Sequence, residues 1–99
     1  MIARTWRGWT RSEDADAYLE YLERTGARDS RATPGNRGFY VLRRTDGDRT
    51  EFVTMSLWES LDAVRGFAGD DLAVVFYDED DRFLVERERF VTHYELTGP

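Results

Sequence analysis

Apolar and polar positions alternate first over residues 2–9, Ile-Ala-Arg-Thr-Trp-Arg-Gly-Trp, which predicts an opening strand with Arg4 and Trp6 on one face and Trp9 on the other. The period then changes. Ala15, Tyr18, Leu19 and Leu22 recur at helical spacing, behind Ser12 as N-cap and with Glu13, Asp14 and Asp16 at the positive end of the helix dipole. This first helix is expected to stop before Gly26, and the polar residues 27–37, with Pro34-Gly35, read as an exposed connection. Gly38 to Thr45 is the next strand. Asp46-Gly47 is a hairpin signal, because glycine accepts the positive φ that a tight turn requires.

The returning strand, Thr50 to Trp58, is apolar on both faces. Val53, Met55 and Leu57 share one, and Phe52, Thr54, Ser56 and Trp58 share the other. Such a strand is expected to be covered on both sides, yet two helices can cover only one face of a sheet. A second copy of the chain is the simplest cover for the other, so a homodimer is expected. Ser60 caps a second helix that runs to about Ala68, with Leu61, Val64 and Phe67 or Ala68 inward and Gly69 as its stop. Residues 72–77 read equally as a helical turn or an extended stretch, and Asp78 to Phe83 as a short capped turn. Phe90 to Leu96 alternates again as the last strand. The result is one α+β domain over residues 1–99, with β-α-β-β-α-β order and an antiparallel sheet.

Composition narrows the chemistry. The chain has 99 residues, 40% of them hydrophobic, with 14 aromatics (three Trp, five Tyr, six Phe) and no Cys. Disulfides, thiolate metal sites and a Cys nucleophile are excluded. Fourteen basic against twenty acidic residues give a net charge of −6, and the Arg pairs are short and flanked by acids. Nucleic acid is therefore not an expected partner, since a duplex binder needs a basic face to displace counterions. No apolar run approaches the ~20 residues of a membrane helix, and no signal-peptide core begins the chain. A cytoplasmic protein without a membrane partner is expected. No glycine-rich phosphate loop supports a nucleotide cofactor. Asp78-Glu79-Asp80-Asp81 lacks the spacing and internal glycine of a calcium loop and reads as a solvated acidic turn, so no metal is expected.

The order of elements, Pro34-Gly35 before the second strand, Ser56-Leu57-Trp58-Glu59-Ser60 at the end of the third, Ala63 and Phe67 at helical spacing after it, and an aromatic-rich last strand together resemble the antibiotic biosynthesis monooxygenase family. Ala32-Thr33-Pro34-Gly35-Asn36-Arg37-Gly38 resembles a small branch of it. The resemblance implies a ferredoxin-like half-barrel that pairs into a dimeric α+β barrel. Its quinone-forming branch oxidises polycyclic phenols with O2, without metal or flavin, using Trp, Asn and Arg side chains; Trp58 matches that Trp, and Asn36, the one Asn, lies in a loop. The heme-degrading branch relies on an Asn in the first strand, a Trp and an iron-ligating His. Here Trp6 or Arg7 stands at the Asn slot and Phe67 at the Trp slot, and the segment around Tyr77 holds no His.

The implied function is a cofactor-independent monooxygenase acting on an aromatic, phenolic small molecule. The alternatives are a non-catalytic ligand-binding or regulatory dimer and, as a lesser reading, a heme protein. Trp58 would be the wall, and Thr54 and Ser56 the polar contacts beside Phe52; such a face equally describes ordinary packing beneath helices. Trp6 and Phe67 are candidate lining residues, with core anchoring the alternative for Trp6. His93, the single His, is the one side chain whose ordinary pKa is near neutrality, so it is a candidate proton carrier or else an interface or rim residue. Gly66 in mid-helix marks a close approach or a bend.

Overall fold

The computed structural model describes residues 1–73 and 81–98. The expected helical turn or strand at 72–77 and the acidic turn Asp78–Asp81 fall largely outside them. The described elements are β1 (Ile2–Arg11), α1 (Ala15–Leu22), α2 (Arg28–Arg31), β2 (Asn36–Asp46), β3 (Arg49–Trp58), α3 (Leu61–Ala68), β4 (Leu84–Arg87) and β5 (Thr92–Glu95). The sheet is antiparallel in the order β2-β3-β1-β4, and β5 also pairs with β1. β1 and β2 are thus parallel with β3 between them, and α1 crosses over one face, as in a ferredoxin-like fold.

The period-2 reading of β1 and β3 holds along their length. Ile2 lies opposite Trp58, Arg4 opposite Ser56, Trp6 opposite Thr54, and Gly8 opposite Phe52. On the helix-covered side Arg4, Trp6, Gly8 and Thr10 are all buried. Gly8 is required there: a Cβ would sit 2.6 Å from the Trp6 ring, which lies across the strand. Trp6, Ala15, Tyr18, Tyr21, Leu22, Phe52 and Val91 form the core beneath α1. The ring of Tyr18 meets Phe52 edge-on at 5.0 Å. Each such large apolar side chain contributes on the order of 1.5–3 kcal/mol by leaving water.

Three boundaries differ from the expected ones. The first helix does not stop at Gly26; it passes through a π-type turn (Glu23–Ala27) into α2. Gly26 stays out of the left-handed region, and the Thr25 hydroxyl donates to the Tyr21 carbonyl at 2.8 Å, a back-bond that loosens a helix without ending it. The supposedly exposed connection accordingly buries Ala27 and Ser30 completely. Ser12 does not cap α1 either: it opens a 3₁₀ turn (Ser12–Asp14), and its hydroxyl donates to the Gly47 carbonyl at 3.0 Å. The last strand, expected over Phe90 to Leu96, is the shorter β5 beside Ile2–Thr5, and β4, which was not expected, shares the same edge of β1 beside Gly8–Thr10.

The hairpin and the second cap follow expectation. Asp46 pairs with Arg49 across Gly47-Asp48; Gly47 has φ +62° and, among the described residues, no non-glycine residue has positive φ, the pattern of a II′ turn. The Ser60 hydroxyl accepts from the Ala63 amide, and Gly69 ends α3 with φ +78°. Leu61 faces outward rather than inward, 40% exposed, while Val64 is buried. Gly66 marks a close approach, because a Cβ there would meet Thr33 at 3.3 Å.

Candidate functional site

At the end of the sheet where β1 begins and β3 finishes, four elements bring five of the chain's chemically distinctive side chains together. Trp58, the last residue of β3, is completely buried, and its indole N–H donates to the Ser56 hydroxyl at 2.8 Å. The Phe67 ring, from α3, lies 5.7 Å from Trp58 at 30°. The Arg4 guanidinium reaches over the Phe67 ring, 5.9 Å from its centroid. Strand alternation explains the convergence: Arg4 and Ser56 are cross-strand partners on the helix-covered face, two residues from Trp58.

β5 adds His93. It pairs with Arg4 across β1, and its Nε2 lies 2.9 Å from an Arg4 terminal nitrogen. The same nitrogen donates to the Leu72 carbonyl at 2.6 Å. Arg4 is 8% exposed, so its charge stands in a medium where electrostatic interactions are stronger than in water. Burial first, and the Arg4 guanidinium second, hold the His93 pKa below its ordinary value. The imidazole is therefore neutral at neutral pH. The cluster combines two aromatic rings in tilted contact, a hydroxyl engaged by the indole, a buried cation and a neutral imidazole. A buried cation of this kind favours negative charge placed beside it.

The remaining expected site residues lie elsewhere on the same face. Phe52 and Trp6 sit in the core beneath α1, and the Trp6 N–H donates to the Glu88 carbonyl at 2.9 Å. Thr54 is half-buried between them and the Trp58 end, opposite Trp6 on β1 and Val41 on β2. Asn36, expected in a loop, is the first residue of β2, its amide donating to Ser30 and its oxygen accepting from the Gly38 amide. Arg4 was legible only as a residue sharing a face with Trp6. Its pairing with His93 depends on a strand register between residues 89 positions apart, which no local signal carries.

A surface cleft of ≈ 630 Å³ lies at the opposite end of the sheet, lined by Arg11, Glu13, Asp48, Arg49, Val85 and Glu86. Its walls are charged surface groups, among them the Arg49–Glu86 ion pair at 2.8 Å, rather than the apolar lining of a small-molecule site.

Comparison with known proteins agrees with this architecture. The family model described as antibiotic biosynthesis monooxygenase matches residues 1–77. An antibiotic biosynthesis monooxygenase-type structure from Nitrosomonas europaea superposes with a TM-score of 0.73 at 18% identity, over 99% of this chain and 91% of that one. Rv0793 from Mycobacterium tuberculosis gives 0.65 at 22% identity, over 99% and 96%. MhuD from the same organism, a heme-degrader solved with two hemes in its active site, gives 0.61 at 18% identity, over 100% and 98%. No curated protein matches the sequence closely enough to lend it an activity. These likenesses establish the ferredoxin-like fold, and with the match over residues 1–77 the chain belongs to the antibiotic biosynthesis monooxygenase family.

Proposed function

We propose that the chain is a cofactor-independent monooxygenase that oxidises an electron-rich phenolic small molecule with O2, acting as a cytoplasmic homodimer. The observation that carries this reading is the buried Arg4 guanidinium laid on Phe67 beside Trp58 and bonded to a neutral imidazole. An anthrone-like phenol becomes oxidisable when it loses a proton, and a fixed cation in a poorly solvated site favours that anion. The anion transfers an electron to O2, the two radicals join at carbon, and the resulting peroxide loses water. One oxygen atom remains as the new carbonyl and the other leaves as water, with the two displaced hydrogens. Trp58 and Phe67 hold the ring, Thr54 and Ser56 line the same face, Phe52 and Trp6 support it from the core, and Arg4 with His93 handles the charge.

Oxygen uptake with 1,8-dihydroxyanthrone, followed with quinone formation, tests the proposal. Turnover should fall in Trp58→Ala and Arg4→Met, by roughly 100-fold or more where a charge-stabilising contact is lost. Absence of turnover with every such phenol would leave a non-catalytic ligand-binding dimer as the better reading. Trp58 is completely buried and its N–H is satisfied by Ser56, which weighs against direct ligand contact by this side chain in either reading.

Heme chemistry, suggested by the MhuD likeness, does not fit the residues present. The chain has one His, and its Nε2 faces a guanidinium at 2.9 Å. An iron on that nitrogen would displace the contact and bring a second cation against Arg4.

A further inference from the structure

The Arg4–His93 contact assigns a division of labour within the proposed site. A guanidinium carries only donors, so an imidazole nitrogen 2.9 Å from it must act as acceptor. An imidazolium has no acceptor at all. The contact therefore exists only with a neutral ring whose Nε2 is unprotonated, which places the ring proton on Nδ1. The pair is also built by backbone geometry rather than by chance approach of two long side chains: β1 and β5 set Arg4 directly opposite His93, between the pairs Ala3–Tyr94 and Thr5–Thr92. The nitrogen that meets His93 also meets the Leu72 carbonyl. Two acceptors thus converge on one end of the guanidinium while its carbon lies over Phe67.

We propose that His93 is a positioning residue for Arg4: Nε2 of its Nδ1–H tautomer accepts from the guanidinium and holds it on the Phe67 ring beside Trp58. The assignment of a ligand to Arg4 rests on the proposed site, whereas the tautomer does not. While the contact stands, Nε2 has no lone pair with which to take a proton from substrate. The burial that keeps the ring neutral works in the same direction.

His93 is the only His, so the two imidazole nitrogens of uniformly ¹⁵N-labelled full-length protein are assignable without ambiguity. Long-range ¹H–¹⁵N correlation at pH 7 should show Nδ1 protonated and Nε2 bare, and Arg4→Met should shift the ring toward the Nε2–H form that a free imidazole prefers. An Nε2–H or doubly protonated ring in the unaltered protein would overturn the proposal. This readout needs no substrate, so it stands or fails separately from the monooxygenase reading. Where turnover is found, His93→Gln, which keeps an oxygen acceptor, should recover most of the kcat/KM lost in His93→Leu. A proton carrier would instead lose ~100-fold or more in both variants. Equal loss in both therefore also overturns the positioning role.

Discussion

Arg4 and His93 make the acid response of this protein predictable in sign. The folded His93 titrates below its ordinary value because burial, and then the adjacent guanidinium, disfavour the charged ring. The unfolded chain therefore binds a proton on this residue at a higher pH than the folded one. By linkage, stability from this group is fully present above the unfolded value near 6.5 and is lost as pH falls below it toward the lower folded value. Urea unfolding at pH 7 and pH 5 should accordingly show a larger fall in stability for the unaltered protein than for His93→Gln. Equal falls would mean that the imidazole is not disfavoured as a cation in the fold. In the neighbouring Ser56–Trp58 bond, a hydroxyl expected to greet a ligand is engaged by the wall itself.

The β2–β3 hairpin is the element that delivers Trp58, and its register depends on one turn. Gly47 has φ +62°, and a Cβ there would meet nothing within 4 Å. Gly47→Ala thus carries only the backbone cost of a positive φ, about 1–3 kcal/mol. The urea midpoint should drop accordingly with the slope unchanged, and a neutral outcome would mean that the turn is not held in that conformation. This turn, the Ser60 cap and the alternation of β1 and β3 were legible because each is a signal within a few residues. The stop expected at Gly26 was not, because the burial of Ala27 and Ser30 carries the helix on past a residue that ordinarily ends one. β4 was hidden for another reason: Leu84-Val85-Glu86-Arg87 lies at the sheet edge and turns only Leu84 toward the core, so its sequence reads as polar. The faces of the candidate site could be read in advance. The partner of Arg4 could not, since it requires the register of β5 on β1.

At the scale of the whole molecule, the smallest extent is 21 Å, room for one layer of helices on one sheet. The helices lie on the Phe52–Trp58 side. On the other side Tyr40, Leu42 and Tyr94 are each more than half exposed, around half-buried Val53, Met55 and Leu57. This face is not uniformly apolar. Toward the hairpin end Arg7 and Arg44 both pair with Glu51, at 3.3 and 2.9 Å, and Arg7 and Arg49 flank the ring of Trp9. Exposed ion pairs of this kind contribute little to stability, but they oppose non-specific association at that end. The apolar half is the part that a second copy would cover in the proposed homodimer. A charge placed there separates dimer formation from folding. Leu42 gains little from burial within one chain, so Leu42→Glu should leave the unfolding of an isolated chain nearly unchanged. Across a two-fold interface the same change occurs twice, at about 1–3 kcal/mol for each buried polar group left unsatisfied. Sedimentation equilibrium should then show a concentration-dependent dimer for the unaltered protein and a dimer weakened by roughly 30-fold to 20,000-fold for the variant. An unaltered chain that stays monomeric at high concentration would remove the homodimer from the proposal, and a variant as dimeric as its parent would move the interface off this face.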